Sequence, residues 1–330
     1  MDLRDCRGLK SSAKEALAGA SYDPKKLILL HTGASLALSL ILAVLNYVLE
    51  EQIGGTGGLS GMGTRSILAT IQSVLQLAQV IVLPFWQIGW LYAAMQLGRG
   101  EQTGPDALLA GFRRFFPVLR LYLLQGVLYL GIAMVCSYLA SILFVMTPWA
   151  EPLMEVVMEY MEATDMAAME AALEQVTAEI ALPLMGILAV VFLVFAAPFF
   201  YRFRMAQYVI MDSPKPGAMA ALRESRRMMK GNAISLLKLD LSFWWFYVLE
   251  LVVAAVAYLD VIMSLLGITL PWSSSATYFV LLVLYSGCQL LLYWRRKPQV
   301  DVTYAKVYEA LSQPKGPEAQ PLPPKQPWNY

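Results

Sequence analysis

Histidine occurs once in these 330 residues, at His31, and cysteine three times, at Cys6, Cys136 and Cys288. That scarcity removes whole classes of chemistry. The chain has no HExxH, no GxSxG, no cysteine pair at metal or disulfide spacing, and no two carboxylates on a loop at acid–base spacing. Neither a cofactor nor an enzymatic activity is expected. Charge is also sparse. Only 15% of residues are Asp, Glu, Lys or Arg, against 58% apolar, too apolar a balance for an ordinary soluble domain. Basic residues are missing from long stretches: Arg65 stands alone between 27 and 98, and there are none over 121–201 or 239–294.

The apolar residues fill those stretches in blocks. Residues 27–49 carry no charge beyond a possible one on His31, and as a helix they reach about 35 Å, enough for a ~30 Å hydrocarbon core. Further blocks run over roughly 66–97, 118–147, 183–210, 241–266 and 276–294. Backbone amides in hydrocarbon must be satisfied within their own segment, so runs of this length are expected as helices; barrel strands are shorter and alternate in polarity. The expected fold is all-α, a polytopic membrane protein with six transmembrane helices. Every Lys and Arg except Arg65 then lies on one side. Positive charge stays cytoplasmic, which places both termini inside and the protein in the cell membrane. The polar first 26 residues argue against a cleaved signal. A net charge of +1 hides this segregation and gives no reason to expect nucleic acid.

The expected organisation is a cytoplasmic amphipathic helix at 1–26, a six-helix domain at 27–294, and a tail at 295–330. The domain carries an acidic outer insertion at about 148–180 and a basic cytoplasmic loop at about 202–238. Three cytoplasmic segments look alike: KSSAKEALAG, DALLAGFRRFFPVL and ALRESRRMMKGNAISLL. Each sets a short basic amphipathic helix before a glycine (Gly19, Gly111, Gly231) and then enters a span, and a glycine in the left-handed conformation suits such a turn. The sequence therefore reads as three units of interfacial helix plus two spans, the helices forming a collar against anionic lipid headgroups. Residues 303–311 offer a last interfacial helix. Beyond Ser312 the proline-rich tail, with PLPPKQP, is expected to be extended.

The richest of these segments also carries a resemblance. Tyr201, Arg202, Met205, Ala206 and Tyr208, then Ala221, Leu222, Ser225, Arg226, Met229, Lys230 and Gly231, then Leu241, Ser242, Phe243 and Trp245, are similar to a bacterial family of multi-pass membrane proteins known only as domain of unknown function 975. LKSSAKEALAG near the start and TYAKVYEAL near the end resemble that family's ends. The resemblance implies a helical integral membrane fold and brings no activity, substrate or catalytic residue. The insertion at 151–180 and Glu250 are not part of it.

Few residues stand out as site candidates. Asp240, Glu250 and Asp260 recur at ten-residue intervals in the fifth block, with Glu250 near mid-bilayer. An ionised carboxylate there is costly, so Glu250 is either a proton or cation site, or a neutral acid bonded to a neighbour such as Gln125, Gln289 or His31. Gln72, Gln76 and Gln79, with Gln87 beyond, form a stripe beside Pro84 that lines a polar path or glues helices together. Arg202, Arg223, Arg226, Arg227 and Lys230 form a candidate cytoplasmic interaction surface. Met158, Met161, Met166 and Met169 have a weak resemblance to soft-metal spacing, but methionine is also common apolar filler. The acidic segment that holds them is expected to be a helical cap or a docking face for an outer partner. GGTGGLSGMG at 54–63 lacks the GK[ST] of a phosphate loop and reads as a plain loop. Two functions remain open: a non-enzymatic membrane-embedded accessory or interaction protein, and a transporter or lipid-handling protein using Glu250 and the glutamine stripe in a polar cavity.

Overall fold

A computed structural model of the chain describes residues 5–55, 62–162, 183–213, 217–259, 263 and 274–313. Among them there is no strand. In chain order the helices that matter are α1 (Cys6–Ala18), α2 (Pro24–Gly55), α3 (Met62–Arg99), α4 (Phe115–Val145), α5 (Ala150–Glu162), α6 (Ala197–Phe203), α7 (Ala206–Asp212), α8 (Ala218–Met229), α9 (Ala233–Ser242), α10 (Trp244–Ala257) and α11 (Ser274–Ser312).

Four helical stretches are long and apolar enough to cross a membrane: Pro24–Leu49, Ser66–Arg99, Phe115–Val145 and Pro183–Asp212. Counting the bent pair α9 and α10 as one span gives five. Many of their large apolar side chains point outwards, among them Val80 (69% exposed), Val127 (69%) and Leu193 (71%). The sixth block, 276–294, forms the first part of α11. That helix does not stop where the tail was expected to begin. It continues through Pro298 to Ser312, so TYAKVYEAL is its last turns rather than a separate interfacial helix.

The chain divides into two compact units, one of residues 1–118, 207–214 and 234–330, the other of 119–206 and 215–233. In the first, α1, α2, α3 and α11 pack around Leu27, Ile28, Trp90, Ala94, Leu97 and Val302. The segments Pro105–Leu109 and Ala110–Arg113 lie against α3 with backbone nearly touching backbone. A Cβ on Gly89 overlaps the Leu108 carbonyl, and one on Gly111 overlaps the Phe85 carbonyl. Small residues at such crossings let helices approach closely. Phe85 then stacks on Phe115 at 4.6 Å.

These details correct the expected role of the three glycines. Only Gly231 is left-handed, at φ 79°. Gly19 caps α1 at φ −87°, and Gly111 sits inside a helical turn where what matters is the missing side chain.

The second unit has a core of Cys136, Ala140, Val191 and Ala196, with Phe144 and Ala150 packed together nearby. A π-helical turn at Phe192–Ala196 runs into Pro198. Proline has no N–H to give the carbonyl four residues back and its ring crowds that carbonyl, so a widened turn is a physical way through. A second interruption separates α6 from α7. It is bridged by Ser225 of α8, fully buried, whose hydroxyl donates to the Arg202 carbonyl (2.9 Å) and accepts from the Met205 N–H (3.1 Å). Replacing Ser225 by alanine leaves both groups unsatisfied, and the expected loss is about 2 kcal/mol. Thermal unfolding of the detergent-solubilised chain measures it; an unchanged melting temperature would contradict this role.

Candidate functional site

The first unit holds a set of carboxylates, each tied to a neighbouring helix. Glu250 on α10 accepts a hydrogen bond from the Tyr293 hydroxyl of α11 at 2.7 Å. Tyr293 was not among the partners expected for it. His31 instead lies against Trp86 and Trp90, with ring centroids 5.5 and 5.6 Å away, and Gln125 donates to the Phe203 carbonyl. Glu250 also does not share a straight helix with Asp240. α9 and α10 meet at 65°, with the buried Phe243 at the corner. The break frees the Ser242 carbonyl, and the Lys10 ammonium donates to it at 2.7 Å while standing 4.0 Å over the Phe243 ring. Burial holds the Lys10 pKa below the usual lysine value. Asp240 accepts from the Tyr304 hydroxyl, which also meets the Tyr247 hydroxyl at 2.8 Å. Asp260 lies outside the described residues.

The second half of α11 supplies most of these partners, a role the sequence did not suggest. Lys297, Asp301, Tyr304 and Tyr308 follow at i, i+4, i+7 and i+11, one face of a helix. Asp301 receives the Trp90 indole N–H at 2.6 Å and pairs with Lys297 at 3.2 Å. Burial works against the Lys297 ammonium, but Asp301, Tyr293 and Glu250 outweigh it, and its pKa stands above the ordinary lysine value. Asp212 accepts from Arg99 at 2.8 Å and from the Tyr308 hydroxyl at 3.0 Å, and Glu309 lies 3.4 Å from the same guanidinium. Alternating Tyr and charge at helical spacing was the available signal in TYAKVYEAL.

The glutamine stripe of α3 is not buried. Gln76 and Gln87 are exposed, and Gln72 and Gln79 are partly so. Met158 is exposed on α5, while the Met161 side chain and all of Met166 and Met169 lie outside the described residues, as do most of the acidic segment, 56–61 of the glycine loop and the tail from 314. Among the described residues, no group of three His, Cys, Asp or Glu is placed to hold a metal ion.

The five basic candidates do come together. α8 is cleanly two-faced. Ala221, Leu222, Ser225, Met228 and Met229 are buried, while Arg223, Arg226, Arg227 and Lys230 (i, i+3, i+4, i+7) are exposed. Arg202, at the end of α6, joins them around a cavity of about 610 Å³ with Pro198 on its wall. The Arg227 guanidinium donates to both carboxylate oxygens of Glu224, from Nε to Oε2 at 2.9 Å and from Nη2 to Oε1 at 2.5 Å. The side chains of Arg202, Arg223, Arg226 and Lys230 meet no carboxylate within 4 Å among the described residues. Guanidinium and ammonium groups grouped in this way are chemically suited to anions.

No curated protein sequence and no solved structure matches the chain. A family model does match, over residues 3–314, and the chain belongs to that family, described as "Protein of unknown function (DUF975)".

Proposed function

We propose that this chain is a non-enzymatic integral membrane protein, an accessory that binds anionic components of the membrane and its protein neighbours through the basic face of α8. Six spans, three repeated units of interfacial helix and two spans, and cytoplasmic termini complete the reading. Outward-facing apolar side chains on the long helices support the membrane placement, and the segregation of Lys and Arg supports the orientation. One observation carries the functional part: among the described residues four of the five cations around the α8 cavity have no carboxylate within 4 Å, whereas Asp212, Asp240, Glu250 and Asp301 are each bonded between helices. The carboxylates hold the protein together, and the exposed cations are left for something else.

The alternative, a transporter or lipid-handling protein, rests on Glu250 and the glutamine stripe. The hydrogen bond from Tyr293 to Glu250 and the exposure of Gln76 favour packing over a polar path. Glu250→Gln keeps an acceptor for the Tyr293 hydroxyl and is expected to change stability by less than about 1 kcal/mol. If purified chain in vesicles moves a substrate and this substitution abolishes the flux, the accessory reading fails.

A photo-cross-linking residue at position 227 tests the function directly. The expected result is one discrete adduct in native membranes, lost with R223Q/R226Q; a diffuse pattern that ignores the substitutions would contradict it. Orientation is tested separately. A reporter active only outside, fused after Glu170, is expected to be active.

A further inference from the structure

We infer that the α8 cavity is a binding site for a phospholipid headgroup carrying two phosphates. This rests on reading the α8 basic face as an interaction surface, and names what it takes. Three observations lead there.

The first is charge. Among the described residues, Arg202, Arg223, Arg226 and Lys230 line the cavity with no carboxylate within 4 Å, and Arg227 is already engaged by Glu224. A zwitterionic headgroup brings an ammonium that these cations repel. A single phosphodiester leaves most of them uncompensated, whereas two linked phosphates accept several guanidinium forks at once.

The second is size. A cavity of about 610 Å³ lies within the ~300–1,000 Å³ of small-molecule sites. It is lined by α6, by α8 and by the turn that follows α8, and the Ser225 bridge ties α8 to the end of α6. Arg202 on one element and the cations of α8 on the other therefore line one depression.

The third is what lies beside it. Phe195 (52% exposed), Pro198 and Arg202 follow at i, i+3 and i+7, so an apolar outward residue leads along one side of the helix to the wall and then to a cation of the cavity. Leu193 and Val194 nearby are exposed as well. Apolar surface running into a cationic cup matches a lipid, with acyl chains below and phosphates above. A soluble phosphate has no use for the apolar part.

The test uses the purified full chain in a neutral detergent, with thermal shift and native mass spectrometry reading lipid titrations. The probes are phosphatidylcholine, phosphatidylglycerol with one phosphate, diphosphatidylglycerol with two, and inorganic pyrophosphate. Diphosphatidylglycerol is expected to bind at least about tenfold more tightly than phosphatidylglycerol, and R223Q/R226Q to weaken it by about tenfold or more. R202Q, on the other wall, is expected to show the same loss and serves if the double variant does not fold. Lys238→Gln, outside the cavity, leaves binding unchanged. Equal affinity for both anionic lipids, or binding indifferent to R223Q/R226Q and R202Q, would overturn the inference. Pyrophosphate displacing the lipid at equal concentration would assign the cavity to a soluble anion and overturn the lipid. A protein partner retained in spectra that show no two-phosphate lipid would remove this inference alone and leave the interaction role standing.

Discussion

Gly89→Val is expected to abolish recovery of folded chain. Even a single carbon at that position overlaps the main chain of Leu108, and the atom in the way is a backbone carbonyl, not the end of a side chain that can swing aside. Across the same crossing Gly111 meets the Phe85 carbonyl, so the two segments are locked at two points one helical turn apart on α3. Valine requires the helix and the 105–113 segment to separate, which uncovers Leu108, Trp90 and Ala93 in the core of that unit. Overpacking in a core that can adjust costs about 1–3 kcal/mol; a backbone clash has no such adjustment and is expected to exceed that range. Fluorescence-detected size exclusion of the solubilised variant measures it. A symmetric peak at the wild-type position would show that the crossing is looser than the structure has it.

The second large effect is expected at Asp212. Its carboxylate takes both the Arg99 guanidinium and the Tyr308 hydroxyl, and the side chains of Arg99 and Asp212 are only 22% and 14% exposed. Asp212→Ala leaves a largely buried cation whose remaining acidic neighbours are Glu101 and Glu309, the latter 3.4 Å away. Removing one member of a buried pair costs about 3–5 kcal/mol, and the residual exposure of Arg99 brings the expected loss to the lower end, about 3 kcal/mol. Arg99→Met in the same background is expected to recover part of it, because the uncompensated charge goes too. A drop in melting temperature for Asp212→Ala that Arg99→Met deepens would contradict this account.

What the sequence shows most clearly is whatever is local and periodic. The long apolar blocks are visible because a membrane-length helix needs an unbroken run, and four of them stand in the structure as expected. The two faces of α8 are visible because Arg223, Arg226, Arg227 and Lys230 alternate with Leu222, Ser225 and Met229 at helical spacing. Arg202, on a different helix, was grouped with them by charge, and the structure places it on the same cavity.

What was not legible depends on pairs far apart in the chain. Trp90 with Asp301 and Arg99 with Asp212 are 211 and 113 residues apart. Nothing in RRKPQVDVTYAKVYEAL says that it continues a membrane-length helix and clasps α3 and α9 instead of lying free; the cluster of charge and Pro298 both argued for a boundary. Glycines gave a similar ambiguity. A glycine before a span serves either a left-handed turn, as at Gly231, or a close approach, as at Gly111, and one sequence does not distinguish them. Glu250 stood out because an acid in an apolar run is expensive, and nothing local in the sequence shows that a tyrosine hydroxyl on the next helix donates to it.

The central claim is that the basic face of α8 is there to hold other components of the membrane. Native mass spectrometry of the chain, gently extracted from its own membranes, tests it most directly by reading co-purifying proteins and lipids together. A stoichiometric anionic or protein companion that R223Q/R226Q removes is expected, with Glu250→Gln indistinguishable from wild type. A solitary chain carrying a small molecule that Glu250→Gln releases and R223Q/R226Q leaves in place would contradict it.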